Sequence, residues 1–131
     1  MKNLSTDVLI VGAGPTGLFL SNLLASYNVK NVLIEKNQST VKEPRAVSID
    51  DESLRVVQSL GLINKFLNKI SINHGSYYIS PNGKNFAVIE PTSKTYGFHK
   101  RNSFDQPDLE DLLLKNLIIK HRLNVFFNTE F

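Results

Sequence analysis

The sequence predicts an α/β fold in which a parallel sheet alternates with helices and is interrupted by a β-hairpin excursion. Three observations predict it. Two short apolar runs, "VLIV" at Val8–Val11 and "NVLIE" at Asn31–Glu35, bracket a helical segment in a strand, helix, strand pattern. A glycine cluster, "GAGPTG", stands directly between the first run and that helix. Between residues 70 and 100 the pattern changes to the strict alternation of a hairpin.

Each element has a local cause. The Val8–Val11 run is continuous, as expected of a strand buried on both faces. A helix from Thr16 to Tyr27 follows, its apolar face carried by Leu18, Leu20, Leu23 and Leu24, with Asn28 as a left-handed terminator. Asn31–Glu35 then closes one right-handed βαβ unit. Asn37 to Ala46 is polar, contains Pro44 and reads as an extended loop. Asp50 or Asp51 caps a helix that carries Leu54, Val57 and Leu60 and ends at Gly61, and a short helix is expected from Ile63 to Lys69. "GSYYIS" and "KNFAVIE" form the hairpin, joined by Ser80-Pro81-Asn82-Gly83, with Pro at the second turn position and Gly at the fourth. Asp105-Gln106-Pro107-Asp108 starts a further helix whose buried stripe is Leu109, Leu112, Leu113 and Leu117. Leu123 to Asn128 is a last strand of the parallel sheet.

Composition narrows the function classes. At 131 residues the chain has the size of one domain, and its 41% hydrophobic and 21% charged shares are those of a globular protein. It has no cysteine, which excludes a disulfide framework, a thiolate metal site and a cysteine nucleophile, and fits a cytoplasmic setting. The net charge of +3 is dispersed, and the densest basic patch, His99-Lys100-Arg101, is too short to argue for nucleic acid. No apolar run approaches the roughly 18 residues needed to cross a bilayer, so no membrane partner is expected. His74, His99 and His121 share no metal spacing, and no metal is expected.

The glycine cluster has a specific physical reading. Gly12 permits the tight turn after the strand, Gly14 leaves room for a pyrophosphate beside the backbone, and Gly17 lets the helix lie close to the sheet. Pro15 loses nothing in the first turn, where amides have no partner within the helix. Those amides and the positive end of the helix dipole favour phosphate. Glu35 ends the second strand about 20 residues past the glycines, where a carboxylate accepts from ribose hydroxyls and repels a 2′-phosphate. The Rossmann-like corner therefore suits FAD or NAD over NADP, and on these residues alone FAD and NAD both stay open.

Three stretches carry a resemblance that separates them. "DVLIVGAGPTGLFLSNLL", "IEKNQSTVKEPRAVSIDDESLRVVQSLGL" and "SFDQPDLEDLLLKNL" are similar in order and spacing to the flavoprotein aromatic hydroxylases, the single-component FAD-dependent monooxygenases. The phrase "EPRAVSIDDESLR" resembles the 3-(3-hydroxyphenyl)propionate hydroxylase group within them. The resemblance covers nearly the whole chain and is least distinctive between residues 70 and 100. It implies an FAD-binding fold and a reaction in which NAD(P)H and O2 are used to hydroxylate an aromatic, phenolic substrate.

The resemblance also implies roles for single residues. Gly12, Gly14, Pro15, Thr16 and Gly17 would line the FAD pyrophosphate, with Glu35 and Lys36 flanking the adenosine. Arg45 resembles the family arginine that reaches the FAD phosphate and ribose, a role suited to its planar, always charged fork; as a loop residue it equally fits a solvated arginine. Gln106 resembles the family glutamine at the flavin's ribityl-phosphate arm, and also reads as a simple helix-start residue. Asp50 aligns with a carboxylate near the substrate hydroxyl. There it would accept the phenolic proton and so raise electron density at the ortho carbon, provided burial raises its pKa. The same Asp50 reads as a helix cap, and both roles are compatible.

These hydroxylases are several-fold longer. Residues 1–131 are accordingly expected to be the N-terminal part of an FAD-binding domain, its sheet incomplete and the substrate domain absent. In isolation such a chain is expected to bind FAD weakly or not at all, to hydroxylate nothing, and to self-associate or be only marginally folded. A non-catalytic nucleotide-binding remnant and an NAD-dependent dehydrogenase domain are the alternative readings.

Overall fold

A computed structural model of the chain describes residues 5–123 and 125–131. The chain divides into two compact units. The first runs up to Pro44 and resumes from Gln106 to Phe131; the second is Arg45–Asp105.

In the first unit, strand β1 (Val8–Val11), helix α1 (Pro15–Ser26) and strand β2 (Asn31–Ile34) follow in order. Gly14 caps α1, Pro15 takes its first position, and Asn28 at φ 59° turns the chain out of it. β1 and β2 pair in parallel with Ile10 beside Leu33. The sheet's third strand, in the order β1-β2-β7, is Val125–Phe126, also parallel. Among the described residues of the expected Leu123–Asn128 strand only these two join the ladder; Asn124 lies outside the described residues. Left-handed Arg122 (φ 55°) and Asn128 (φ 52°) break extended geometry on either side, and the Leu123 amide is taken by the Leu117 carbonyl. Beyond Phe126 the chain still follows β2, since Asn128 N donates to Asn37 O and Thr129 N to Glu35 O.

Helix α4 (Gln106–Ile119) packs on α1. The faces that meet differ from the leucine stripe expected for α1: Leu18 is buried, but Leu20 is exposed, and Ser21 and Asn22 are buried instead. The cause is a polar clasp. Asn22 Nδ2 donates to Leu18 O at 2.8 Å and to Leu113 O at 3.1 Å, while Asn116 Nδ2 donates to Asn22 Oδ1 at 2.7 Å. Ser21 Oγ donates to Asn31 Oδ1 at 2.6 Å and ties α1 to β2. Buried amides are tolerated because each finds partners. β1 also departs from expectation: Ile10 is buried, whereas Leu9 and Val11 are 45% and 61% exposed, so one face of this strand is uncovered.

The second unit has its own core of Ile49, Leu54, Val57, Leu60, Leu62 and Phe66, with Phe66 edge-on to Phe104 at 6.1 Å. Helix α2 (Asp51–Ser59) is capped by Asp50, whose Oδ1 accepts from Ser53 N at 2.8 Å, and Gly61 at φ 75° follows it. The short α3 (Ile63–Leu67) comes next. Strands β4 (Ser76–Ile79) and β5 (Asn85–Ile89) form the expected antiparallel hairpin, with Gly83 N donating to Ser80 O across the turn. A pairing not foreseen joins β3 (Ser48–Asp50) to β6 (Arg101–Ser103), antiparallel. The fully buried Asn102 fastens it by donating to Ile49 O and His99 O.

Candidate functional site

The glycine corner is built as a phosphate cradle would be. Gly12 sits at φ +103°, a conformation that side chains resist, and turns the chain from β1 into α1. A Cβ at Gly17 would stand 2.0 Å from Gly12 O, so the helix lies against the turn at a distance only glycine allows. Gly14 is the opposite case. A Cβ there meets nothing within 4 Å, and the backbone is extended at φ −75°, so fold packing does not demand glycine. The empty space lies at the start of α1, where no side chain caps the helix and no acid occupies the first turn. Unsatisfied amides and a positive dipole end next to open space are the physical requirements for an anion.

Glu35 reaches this corner from the end of β2. Its Oε2 accepts from Ala13 N at 2.8 Å, and its Oε1 from Asn37 N at 2.8 Å and Asn37 Nδ2 at 2.6 Å. Desolvation pushes the carboxyl up, but the Asn37 and Ala13 amides and the charge of Lys36 outweigh it and hold its pKa below the ordinary value. A carboxylate has about four acceptor positions, so a ribose hydroxyl has a place beside the three donors already there. A cleft of about 420 Å³ opens here, lined by Val11, Gly12, Glu35, Lys36, Thr129, Glu130 and Phe131. Thr129 and Glu130 were missed in the sequence; the signal was that a third parallel strand brings its end beside Glu35.

Gln106 is the first residue of α4 and is buried; its Nε2 donates to Glu110 Oε1 at 2.8 Å. The first unit thus brings together Gly12, Gly14, Pro15, Thr16, Gly17, Glu35 and Lys36, and also carries Gln106. Arg45 and Asp50 belong to the second unit. Arg45 is an exposed loop residue with partners of its own. Asp50 caps α2 and is exposed, whereas the adjacent Asp51 is the buried acid: at the helix's first position it is turned inward. The second unit holds a cleft of about 370 Å³ lined by Asp50 with Ser48, Ile49, Ile89, Pro91, Lys100 and Arg101. Among the described residues no three His, Asp or Glu side chains group to hold a metal ion, and no helix is long and apolar enough to cross a membrane.

Comparison with known proteins agrees with this geometry. Residues 5–131 match the FAD binding domain family, and the chain belongs to it. It is 42% identical over 111 residues, 85% of its length, to a 3-(3-hydroxy-phenyl)propionate/3-hydroxycinnamic acid hydroxylase of Comamonas testosteroni. It is 38% identical over 128 residues, 98% of its length, to the hydroxylase of that name in Paraburkholderia xenovorans strain LB400. It spans 19% and 21% of those two relatives. Among solved structures, p-nitrophenol 4-monooxygenase PnpA from Pseudomonas putida DLL-E4 superposes with a TM-score of 0.82 at 19% identity, covering 98% of this chain and 33% of that one. The flavin-dependent monooxygenase PieE, solved with FAD and substrate, gives 0.80 at 21% identity, covering 98% and 24%. The structural likenesses speak for the fold, and that fold is the Rossmann-like α/β sheet expected from the sequence.

Proposed function

We propose that this chain provides the adenosine and pyrophosphate end of the FAD site of a flavoprotein aromatic hydroxylase, as the N-terminal part of its FAD-binding domain. One observation carries the reading: the uncapped start of α1 faces open space at Gly14, while Glu35, already bonded to Ala13 N, flanks an adjoining cleft. Gly12, Gly14, Pro15, Thr16 and Gly17 would line the pyrophosphate. The Gly14, Thr16 and Gly17 amides and the helix dipole would hold it, while Gly12, whose amide is given to Ile34 O, and Pro15, which has no N–H, shape the turn. Glu35 and Lys36 would hold the adenosine ribose, Arg45 the phosphate region, and Gln106 the ribityl arm. Asp50, exposed in this chain, would act at the substrate hydroxyl only where the rest of the enzyme buries it, its acceptor oxygens serving both the helix cap and the phenolic proton. When bound, the flavin would supply the redox chemistry, with NAD(P)H as reductant and O2 as oxidant.

The relatives named above are hydroxylases of hydroxyphenylpropionate and hydroxycinnamic acid, which supports a phenolic substrate for the enzyme to which this domain type belongs. The lack of cysteine supports a cytoplasmic setting. Exposed Leu9, Val11, Tyr77 and Phe86 support self-association of the chain through apolar surface. The test is competition: FAD fluorescence is followed as the chain is added, and NAD and NADP are then titrated against the complex. Quenching that NAD displaces weakly and NADP less supports the reading. Preference for NAD points to a dehydrogenase domain, and quenching no stronger with FAD than with NAD or NADP to a remnant.

A further inference from the structure

Arg101 lines the cleft of the second unit, and its side chain is not used up by the fold. The register pairs it directly with Asp50 across β3 and β6. Residues paired in this way point to one face, with Cβ atoms about 5 Å apart, close enough for a forked ion pair. Here Asp50 Oδ1 is instead turned back to the Ser53 amide as the α2 cap, and Glu90 accepts from the Tyr77 hydroxyl. Arg101 Nε is shut off from solvent with no hydrogen-bond partner. A buried donor of a charged group is costly to leave unmet, and such a donor calls for an acceptor from outside the chain.

The rest of the cleft describes that acceptor. Lys100 adds a second cation beside Arg101, and Ile89 and Pro91 supply apolar wall. The volume of about 370 Å³ is that of a small-molecule site. A ligand with an anionic end and an apolar body meets both features, and the planar fork of arginine matches the two oxygens of a carboxylate. We infer that Arg101, backed by Lys100, is a specificity-determining residue that takes the carboxylate of an aromatic acid whose ring lies against Ile89 and Pro91. That this acid is the substrate rests on the role proposed above for Asp50, which lines the same cleft. That the cleft takes an organic carboxylate rests on Arg101 and its surroundings alone.

The test uses the ¹⁵N-labelled chain, thermal melting, and backbone amide shifts on titration with phenylpropionate, with phenylpropanol, which keeps the ring and lacks the charge, and with acetate, which keeps the carboxylate and lacks the ring. Phenylpropionate at millimolar concentration is expected to move the amides of Ser48, Asp50, Ile89, Lys100 and Arg101, and the other two probes to bind at least about 10-fold more weakly. Arg101→Met keeps the apolar stem and discards the fork. It is expected to weaken phenylpropionate about 10-fold or more, the loss of a charged hydrogen bond, and to melt no earlier than wild type, because its side chain gives up no protein partner. Arg101→Lys keeps the charge without the fork and is expected to recover only part of the affinity. Phenylpropanol or acetate binding as well as phenylpropionate, unchanged phenylpropionate affinity in Arg101→Met, or earlier melting of that variant overturns the inference. FAD bound at the glycine corner with no response of this cleft to phenylpropionate overturns this inference alone. Phenylpropionate bound here by a chain that binds no FAD overturns the proposed function and upholds the carboxylate site.

Discussion

Replacing Gly14 by valine separates binding from folding at the glycine corner. The substituted residue keeps φ −75° and ψ −178°, an extended conformation that a β-branched residue before proline adopts readily. Its Cβ meets nothing within 4 Å. Losing glycine at a helix cap costs about 1 kcal/mol, while reducing the freedom of the unfolded chain returns about 0.4–1 kcal/mol. The melting temperature is therefore expected to move by no more than a few degrees. The ligand side fares differently, because the valine methyl groups occupy the space the pyrophosphate needs. Losing two charge-assisted amide bonds at about 1.5 kcal/mol or more each weakens FAD by at least about 3 kcal/mol, on the order of 100-fold. Gly17→Ala is the converse control: its Cβ would lie 2.0 Å from Gly12 O, so backbone must move. Overpacking of this kind costs about 1–3 kcal/mol, and this variant is expected to melt earlier. Circular dichroism melts and FAD fluorescence titrations on both variants decide the matter. Gly14→Val that binds FAD like wild type would refute the argument, as would Gly17→Ala that melts like wild type.

Glu35→Ala is expected to weaken FAD by about 1.5–3 kcal/mol, the range for hydrogen bonds to a charged group, and Glu35→Gln by less; unchanged titrations would reduce Glu35 to a loop tether. Because the Glu35 pKa is lowered on folding, its stabilising contribution is complete above the ordinary carboxylate range and is lost as pH falls through the lowered value. Wild type should exceed Glu35→Gln in stability by a constant margin above that range, and the two profiles should draw together only on the acid side. Asp50→Ala removes the cap bond to Ser53 N and is expected to cost about 1 kcal/mol, with Asp50→Asn within a few tenths; urea midpoints measure both. Leu113→Ala, at a fully buried position of α4, is expected to cost about 2–5 kcal/mol, and a loss under 1 kcal/mol in the same assay would place α4 outside the core.

What could be read in the sequence follows from how local each cause is. β1, the glycine turn, α1 and β2 were legible because Gly12 and Gly17 serve contacts within about one turn of themselves, and Asn28 and Ser80–Gly83 set their own backbone. The β3–β6 pairing was not legible, since each strand buries a single residue, Ile49 or Asn102, and the partners are distant in sequence. α1 was misread at Leu20 because helix periodicity cannot foresee that Asn22 is drawn inward by Leu113 O and Asn116. Likewise nothing in "QPDLEDLL" marks Glu110 as the buried acid and Asp111 as the exposed one paired with Lys115. Tertiary partners make that choice.

The central claim is that the α1 start and Glu35 hold one end of FAD, and a backbone amide correlation spectrum of the ¹⁵N-labelled chain titrated with FAD tests it most directly. The account predicts progressive shifts at Gly12 to Gly14, Thr16 to Leu18, Glu35, Lys36 and Thr129, larger with FAD than with NADP. Amides of that corner left unmoved while FAD shifts signals elsewhere, for instance at Lys100 and Arg101, would contradict it.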